Sequence, residues 1–226
     1  MSKSIANPLP KSLRNCLVAI LLLGYGPLGA TVALAHHPMG GKLPATLMQG
    51  LLSGLGHPII GIDHLAFILG IGLLAAVTGL GVLLPVMFVV AMGGGLALHL
   101  AAVDLPGVEL AVASSAALIG LALVRPRMTP SRNRYLVEAV AFAMAGLFHG
   151  YALADSIIGA EATPLVAYIV GLVTVQSGVA LAAFVAARGI GTLPGRPLVA
   201  VPVRAAGLAI FLVGAVLLVR ATGLVA

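Results

Sequence analysis

The 226-residue chain is 61% hydrophobic and only 8% charged, with a mean hydropathy of +1.17. So few polar residues cannot cover a globule in water, which excludes a soluble domain and places the chain in a membrane. At about 20 apolar residues per crossing there is room for roughly six or seven spans and for no further domain.

The chain begins with Lys3, Lys11 and Arg14, continues into an apolar run from Cys16, and reaches Ala33-Leu34-Ala35 before His36. This is the order of a secretory leader, so residues 1–35 are expected to be a signal peptide and 36–226 a single mature transmembrane domain. Cleavage puts His36 outside as the new amino terminus. Retention as an anchor leaves the later orientation unchanged. Because Cys16 is the single cysteine, a mature chain without the leader offers no thiolate to a metal and forms no disulfide.

The stretch 43–55 is too short to cross comfortably and is interrupted by Gly50, Gly54 and Gly56, which predicts an interfacial or partly re-entrant helix. Six longer apolar runs follow, near 59–78, 82–103, 108–124, 135–155, 164–187 and 204–225. The expected fold is therefore all-α, a polytopic bundle of six transmembrane helices. Pro58, Pro85, Pro106, Pro164 and Pro202 fall near span starts, where a missing amide donor costs little. On that rule Pro58 opens a helix and leaves His57 outside it. Gly93-Gly94-Gly95, Gly146 with Gly150, and Gly207 with Gly214 offer small surfaces for helix crossings.

With residue 36 outside, Arg125, Arg127, Arg132 and Arg134 fall in one inner loop, and Arg188, Arg196 and Arg204 in the other. The outer connections between spans carry Asp104, Glu109, Asp155 and Glu161 and no basic residue. The positive-inside rule thus agrees with the leader and puts both mature termini in the periplasm. It also accounts for the net charge of +6 without nucleic acid as a partner. There is no nucleotide-binding glycine loop and neither an H-E-x-x-H nor a G-x-S-G motif, so neither an ATP engine nor an enzyme is expected.

All six histidines, and every acidic residue except Glu138, fall in the outer half of this topology. An ionised side chain within a span costs about 2.5 to 3.5 kcal/mol on insertion scales, so a one-sided set calls for partners, water or a cation. Counting helical rise from the outer span ends places His64, His99 and His149 at a common depth of roughly 7 to 9 Å, compatible with a shared metal plane. In His57-Pro58-Ile59-Ile60-Gly61-Ile62-Asp63-His64 two imidazoles flank a carboxylate. An unbroken helix would hold His57 and His64 about 10 Å apart along its axis, too far for one ion. His57 must fold back or serve as a relay or supporting group, while Asp63 either ligates the ion or orients an imidazole. His149 lies in Phe148-His149-Gly150-Tyr151-Ala152. Asp155 and Glu161 read as attractors at the mouth, and His36 and His37, with Met39, as a capture point near the mature terminus.

The His57 to His64 segment matches the H-P-x-x-G-x-D-H motif, and the chain resembles the HupE/UreJ family of nickel and cobalt permeases over nearly all of its mature length. Leu105-Pro106-Gly107-Val108-Glu109 and Phe148-His149-Gly150 add to the resemblance. It implies that His57, Asp63 and His64 handle metal and that His149 belongs to the second functional motif. That motif departs from the common form F-H-G-x-A-H-G-x-E: Leu153, Ala154 and Ser156 replace its second histidine, second glycine and glutamate, with Glu161 as a partial substitute for the lost carboxylate.

The expected protein is a bacterial inner-membrane permease for Ni²⁺ or Co²⁺, using His57, Asp63, His64, His149 and His99. The ion is cargo, and no cofactor is permanently bound. Its partners are the bilayer, the divalent ion and metalloenzyme maturation proteins. The rivals are a metal-delivery or assembly factor that transports nothing, and a b-type haem protein using His99 and His149 as axial ligands.

Overall fold

The computed structural model describes residues 39–78, 80–125, 132–191 and 200–223, all within the unit His36–Ala226. The expected leader at 1–35, His36, His37, Arg127 and Arg196 lie outside the described residues. Seven α-helices and one 3-10 turn are described, with no strand: α1 (Leu47–Ile60), α2 (Ile62–Val77), α3 (Leu83–Leu100), α4 (Val108–Val124), α5 (Arg132–Ala154), the turn Asp155–Ile157, α6 (Ala162–Gly191) and α7 (Ala200–Ala221).

Local chemistry sets where α1 begins, at Leu47 and not at the first apolar residue, Leu43. Thr46 caps it by accepting from the Gln49 amide at 3.2 Å, while Gln49 Oε1 reaches back to the Ala45 amide at 2.8 Å. These side chains satisfy donors that a helix start leaves open. The helix then runs through His57 and Pro58 to Ile60. Pro58 therefore sits near the end of α1, not at a helix start, and His57 is helical. The interruption falls at Gly61, whose backbone is extended (φ −72°, ψ 99°), and α2 leaves at 78° to α1.

Three helix pairs carry most of the packing: α1 with α6, α3 with α5, and α4 with α7. Each is held at backbone contact by glycine. Gly54 of α1 lies on the Tyr168 backbone, Gly150 of α5 on the Met92 backbone, and Gly214 of α7 on the Ala117 backbone, with no room for a Cβ at any of them. In a medium as apolar as the side chains, such close approach gives dispersion contacts that burial from water cannot supply. Gly93 and Gly94 take no part; the space beside them is open.

The register of these contacts gives direction. Gly50 meets Pro164 and Gly54 meets Tyr168, so α1 runs parallel to α6; further along, Gly72 of α2 meets Ala180 of the same helix. The long α6 is thus lined by α1 over its first half and by α2 over its second. α2 also packs on α4 and α7, burying Phe67, Ile68, Ile71, Leu74 and Ala75.

Many large apolar side chains point outward, among them Val90, Leu118, Leu136, Val137 and Val166, an arrangement that suits lipid and not water. Among the described residues four helices are long and apolar enough to cross a membrane, and the bent α1–α2 pair makes a fifth if its two arms are one span. The 17-residue α4 is also apolar but shorter. This is an all-helical, multi-pass membrane protein.

Gly150→Val should lower stability by about 1–3 kcal/mol through overpacking, whereas Gly94→Val should leave it unchanged. Thermal unfolding of the detergent-solubilised variants measures the contrast; equal midpoints would contradict the packing scheme.

Candidate metal site

The bend at Gly61 solves the distance problem that a straight helix poses. His57 in the last turn of α1 and His64 in the first turn of α2 bring their ring centroids to 5.9 Å at 88°. Both are buried, at 2% and 3% exposure, and α5 adds His149 at 0%. The Nδ1 atoms of His64 and His149 stand 2.8 Å apart.

Two ring nitrogens at that separation share one proton, so one of them presents a lone pair. The hydrogen bonds around His149 identify which. Ser115 Oγ donates to the Val112 carbonyl at 2.7 Å and lies 2.8 Å from His149 Nε2. Its one proton being used, the hydroxyl accepts from Nε2–H, and His149 Nδ1 is left as the acceptor of the proton on His64 Nδ1. A serine that fixes the far nitrogen of an imidazole also fixes the tautomer that binds a metal. Tetrahedral ligand nitrogens about 2.0–2.1 Å from an ion lie roughly 3.3–3.4 Å apart. Replacing the shared proton by a cation therefore needs only a small opening of the pair.

His57 is held by its own set of polar groups. Its Nδ1 lies 2.9 Å from both Ser156 Oγ and Tyr168 Oη. Tyr168 donates to the Leu153 carbonyl at 2.5 Å, and Ser156 donates to Tyr168 Oη at 3.3 Å. With the hydroxyl protons so placed, His57 Nδ1 donates, which leaves Nε2 with its lone pair. Ser156, which stands where the family form has glutamate, thus orients His57 together with Tyr168. Ser53, one turn before His57 on the same face of α1, is buried with its hydroxyl lacking a hydrogen-bond partner.

Asp63 accepts from the His64 amide at 2.8 Å and lies 4.0 Å from His64 Nε2. Its charge is stabilised at the amino end of α2. On the other side, Phe67 packs on His149 with centroids 4.6 Å apart and Phe88 at 5.6 Å, while Phe67 also meets Phe142 at 6.1 Å. Apolar rings therefore close the pair toward the carboxyl-terminal end of α2.

The structure brings together His57, His64 and His149, with Asp63 beside them. His99 is held differently: it stacks on Tyr151 at 3.9 Å and 6°, and its Nδ1 lies 2.7 Å from the Tyr151 carbonyl. Tyr151 is about 200° around α5 from His149. The common depth expected from helical rise does not make a common plane, and His99 and His149 do not face each other as haem ligands would. Asp155 and Glu161 are exposed, and the position of the family form's glutamate is filled by Ser156, which meets His57. Among the described residues no three His, Cys, Asp or Glu side chains converge as a ready cage. Sequence reasoning missed Ser53, Ser115 and Tyr168; the signal available was polar groups within or beside apolar runs, which need a partner there.

These features define a polytopic helical membrane protein with a buried imidazole pair between two of its helices. The family model described as "HupE / UreJ protein" matches residues 25–217, and the chain belongs to the HupE/UreJ family. It is also 31% identical over 105 residues to "Protein HupE" of Rhizobium leguminosarum bv. viciae, an overlap of 46% of this chain and 53% of that protein. The match thus spans about half of the relative's length. No solved structure matches the chain.

Tyr168→Phe and Ser156→Ala should each destabilise the protein by about 1–3 kcal/mol, because a buried polar group loses its partner. Their effects should be non-additive, since both hydroxyls serve His57. A double-mutant cycle on thermal unfolding checks this; strict additivity would contradict the shared network.

Proposed function

We propose that this protein is a bacterial inner-membrane permease that takes up Ni²⁺ or Co²⁺ from the periplasm. The observation that carries the reading is the buried His64–His149 pair, its two Nδ1 atoms 2.8 Å apart across two different helices. Neutral imidazole suits borderline divalent cations, and a cation enters the pair as the proton on His64 Nδ1 passes to Nε2 of the same ring, 4.0 Å from Asp63, so that both rings stay neutral and both Nδ1 atoms offer lone pairs. In this reading α1 and α2 form one broken span, and α3 to α7 supply five more. Arg125, Arg188 and Arg204 then mark the cytoplasmic side, while both mature termini lie outside.

The route follows from the chemistry. His36 and His37 capture the ion, and Asp155 and Glu161 raise its local concentration at the mouth. Asp63 draws it to the break, where His57, His64 and His149 replace part of its water. No permanently bound cofactor takes part, and chelation of the ion in the cytosol, by metalloenzyme maturation partners among others, keeps the gradient inward. The delivery-factor reading has less support, because the imidazoles are buried among helices and not displayed where a partner protein would receive the ion.

Flux of nickel, cobalt, copper and zinc into liposomes holding only this protein tests the proposal. His64→Ala and Asp63→Asn should abolish uptake of the preferred ion with abundance largely intact, and His37→Ala should only weaken capture. Ser115→Ala should cost roughly tenfold or more in affinity, the usual effect of removing a group that orients a ligand. Binding without entry would reject the permease, and normal transport by Asp63→Asn would remove the carboxylate from the mechanism.

A further inference from the structure

Beyond the imidazole cluster, α6 carries one more polar side chain into the interior. Tyr168, Leu172, Gln176 and Ala180 form a single stripe at four-residue spacing, and all are buried. Gln176, at 1% exposure, donates from Nε2 to the sulfur of Met92 on α3, itself 1% exposed, at 2.6 Å. Its Oε1 is buried and has no hydrogen-bond partner. An amide oxygen left so in an apolar interior is costly and calls for a reason. As a structural pair the match is poor, since a thioether is a weak acceptor and the stronger oxygen acceptor is unused.

As a ligand pair it makes sense. The Met92 backbone lies against Gly150, the residue after His149, and Phe88, one turn earlier on α3, packs on the His149 ring. Gln176 lies eight residues past Tyr168, about 12 Å further along α6, and reaches Met92 at the level where α3 meets α5 beside His149. A half-turn of the amide about Cγ–Cδ brings Oε1 beside the sulfur.

We infer that Gln176 Oε1 and Met92 Sδ form a second, weaker station, beside the imidazole pair, for a partly dehydrated divalent transition-metal ion on its way to the cytoplasmic side. The inference rests on the permease reading. Neutral oxygen and thioether donors hold such an ion loosely, and conduction requires each site to release what it binds. The imidazole pair selects the ion, and Gln176 with Met92 replaces water that the apolar interior cannot supply.

The test uses the full chain, with nickel alone as the probe: equilibrium dialysis in detergent for binding and radioactive nickel flux into liposomes for transport. Wild-type protein that binds nickel without moving it overturns the permease reading, and this inference with it. Given wild-type flux, Gln176→Leu and Met92→Leu should keep the imidazole site's affinity within about twofold, as separate sites do, and lose flux by about tenfold. Gln176→Glu should hold a second nickel equivalent and slow its passage. If Gln176→Leu disturbs folding and loses binding as well, the volume-matched Met92→Leu decides. Wild-type flux in Met92→Leu or Gln176→Leu overturns the station. So does Gln176→Glu without a second equivalent. Flux lost in Gln176→Leu but kept in Met92→Leu assigns the amide to a buried water and also overturns it.

Discussion

The 78° turn between α1 and α2 is the constraint on which the rest depends. A continuous helix would separate His57 from His64 by about two turns; the bend brings the rings edge to face. It also leaves backbone that is not helical at depth in the protein, which a membrane tolerates only where other protein covers it. Here the cover is α6, whose length spans both arms of the bend. The glycine contacts of Gly54 with Tyr168 and of Gly72 with Ala180 fix the two arms to one rigid rod, so the angle between them is set by packing and not left to a hinge.

The same packing supplies the groups that orient the site. Gly54 meets the backbone of Tyr168, and the hydroxyl of that tyrosine reaches His57. Gly150 draws α5 onto Met92 next to His149, while Ser115 of α4 holds the far nitrogen of the same ring. Removing a glycine here would shift the imidazoles as well as loosen the bundle. Stability and coordination geometry are joined through a few close backbone contacts.

Much of this was legible in the sequence, and the limits have physical causes. Apolar runs announce membrane helices directly, because a polar group in lipid is costly. The His57-to-His64 motif and His149 stand out for the same reason. Pro58 reads as a helix start in the sequence because proline tells only that one carbonyl has no amide partner at that position. The first turn satisfies that condition, but so does a position near a helix end whose axis is about to turn. His99 shares a depth with the pair but not a face, because rise along an axis gives depth and not azimuth, and the ring of Tyr151 holds it. Ser115 and Tyr168 were missed since their partners lie 34 and 111 residues away, a relation no local pattern carries. Ser156 was seen only as a lost glutamate, although its hydroxyl keeps a polar contact to His57.

X-ray absorption at the nickel edge, on purified protein loaded with one equivalent, tests the central claim most directly. The account predicts nitrogen and oxygen neighbours only, with the multiple scattering of at least two imidazole rings, and loss of one ring's contribution in His149→Ala. A spectrum with no imidazole signature, or one left unchanged by His149→Ala, would contradict it.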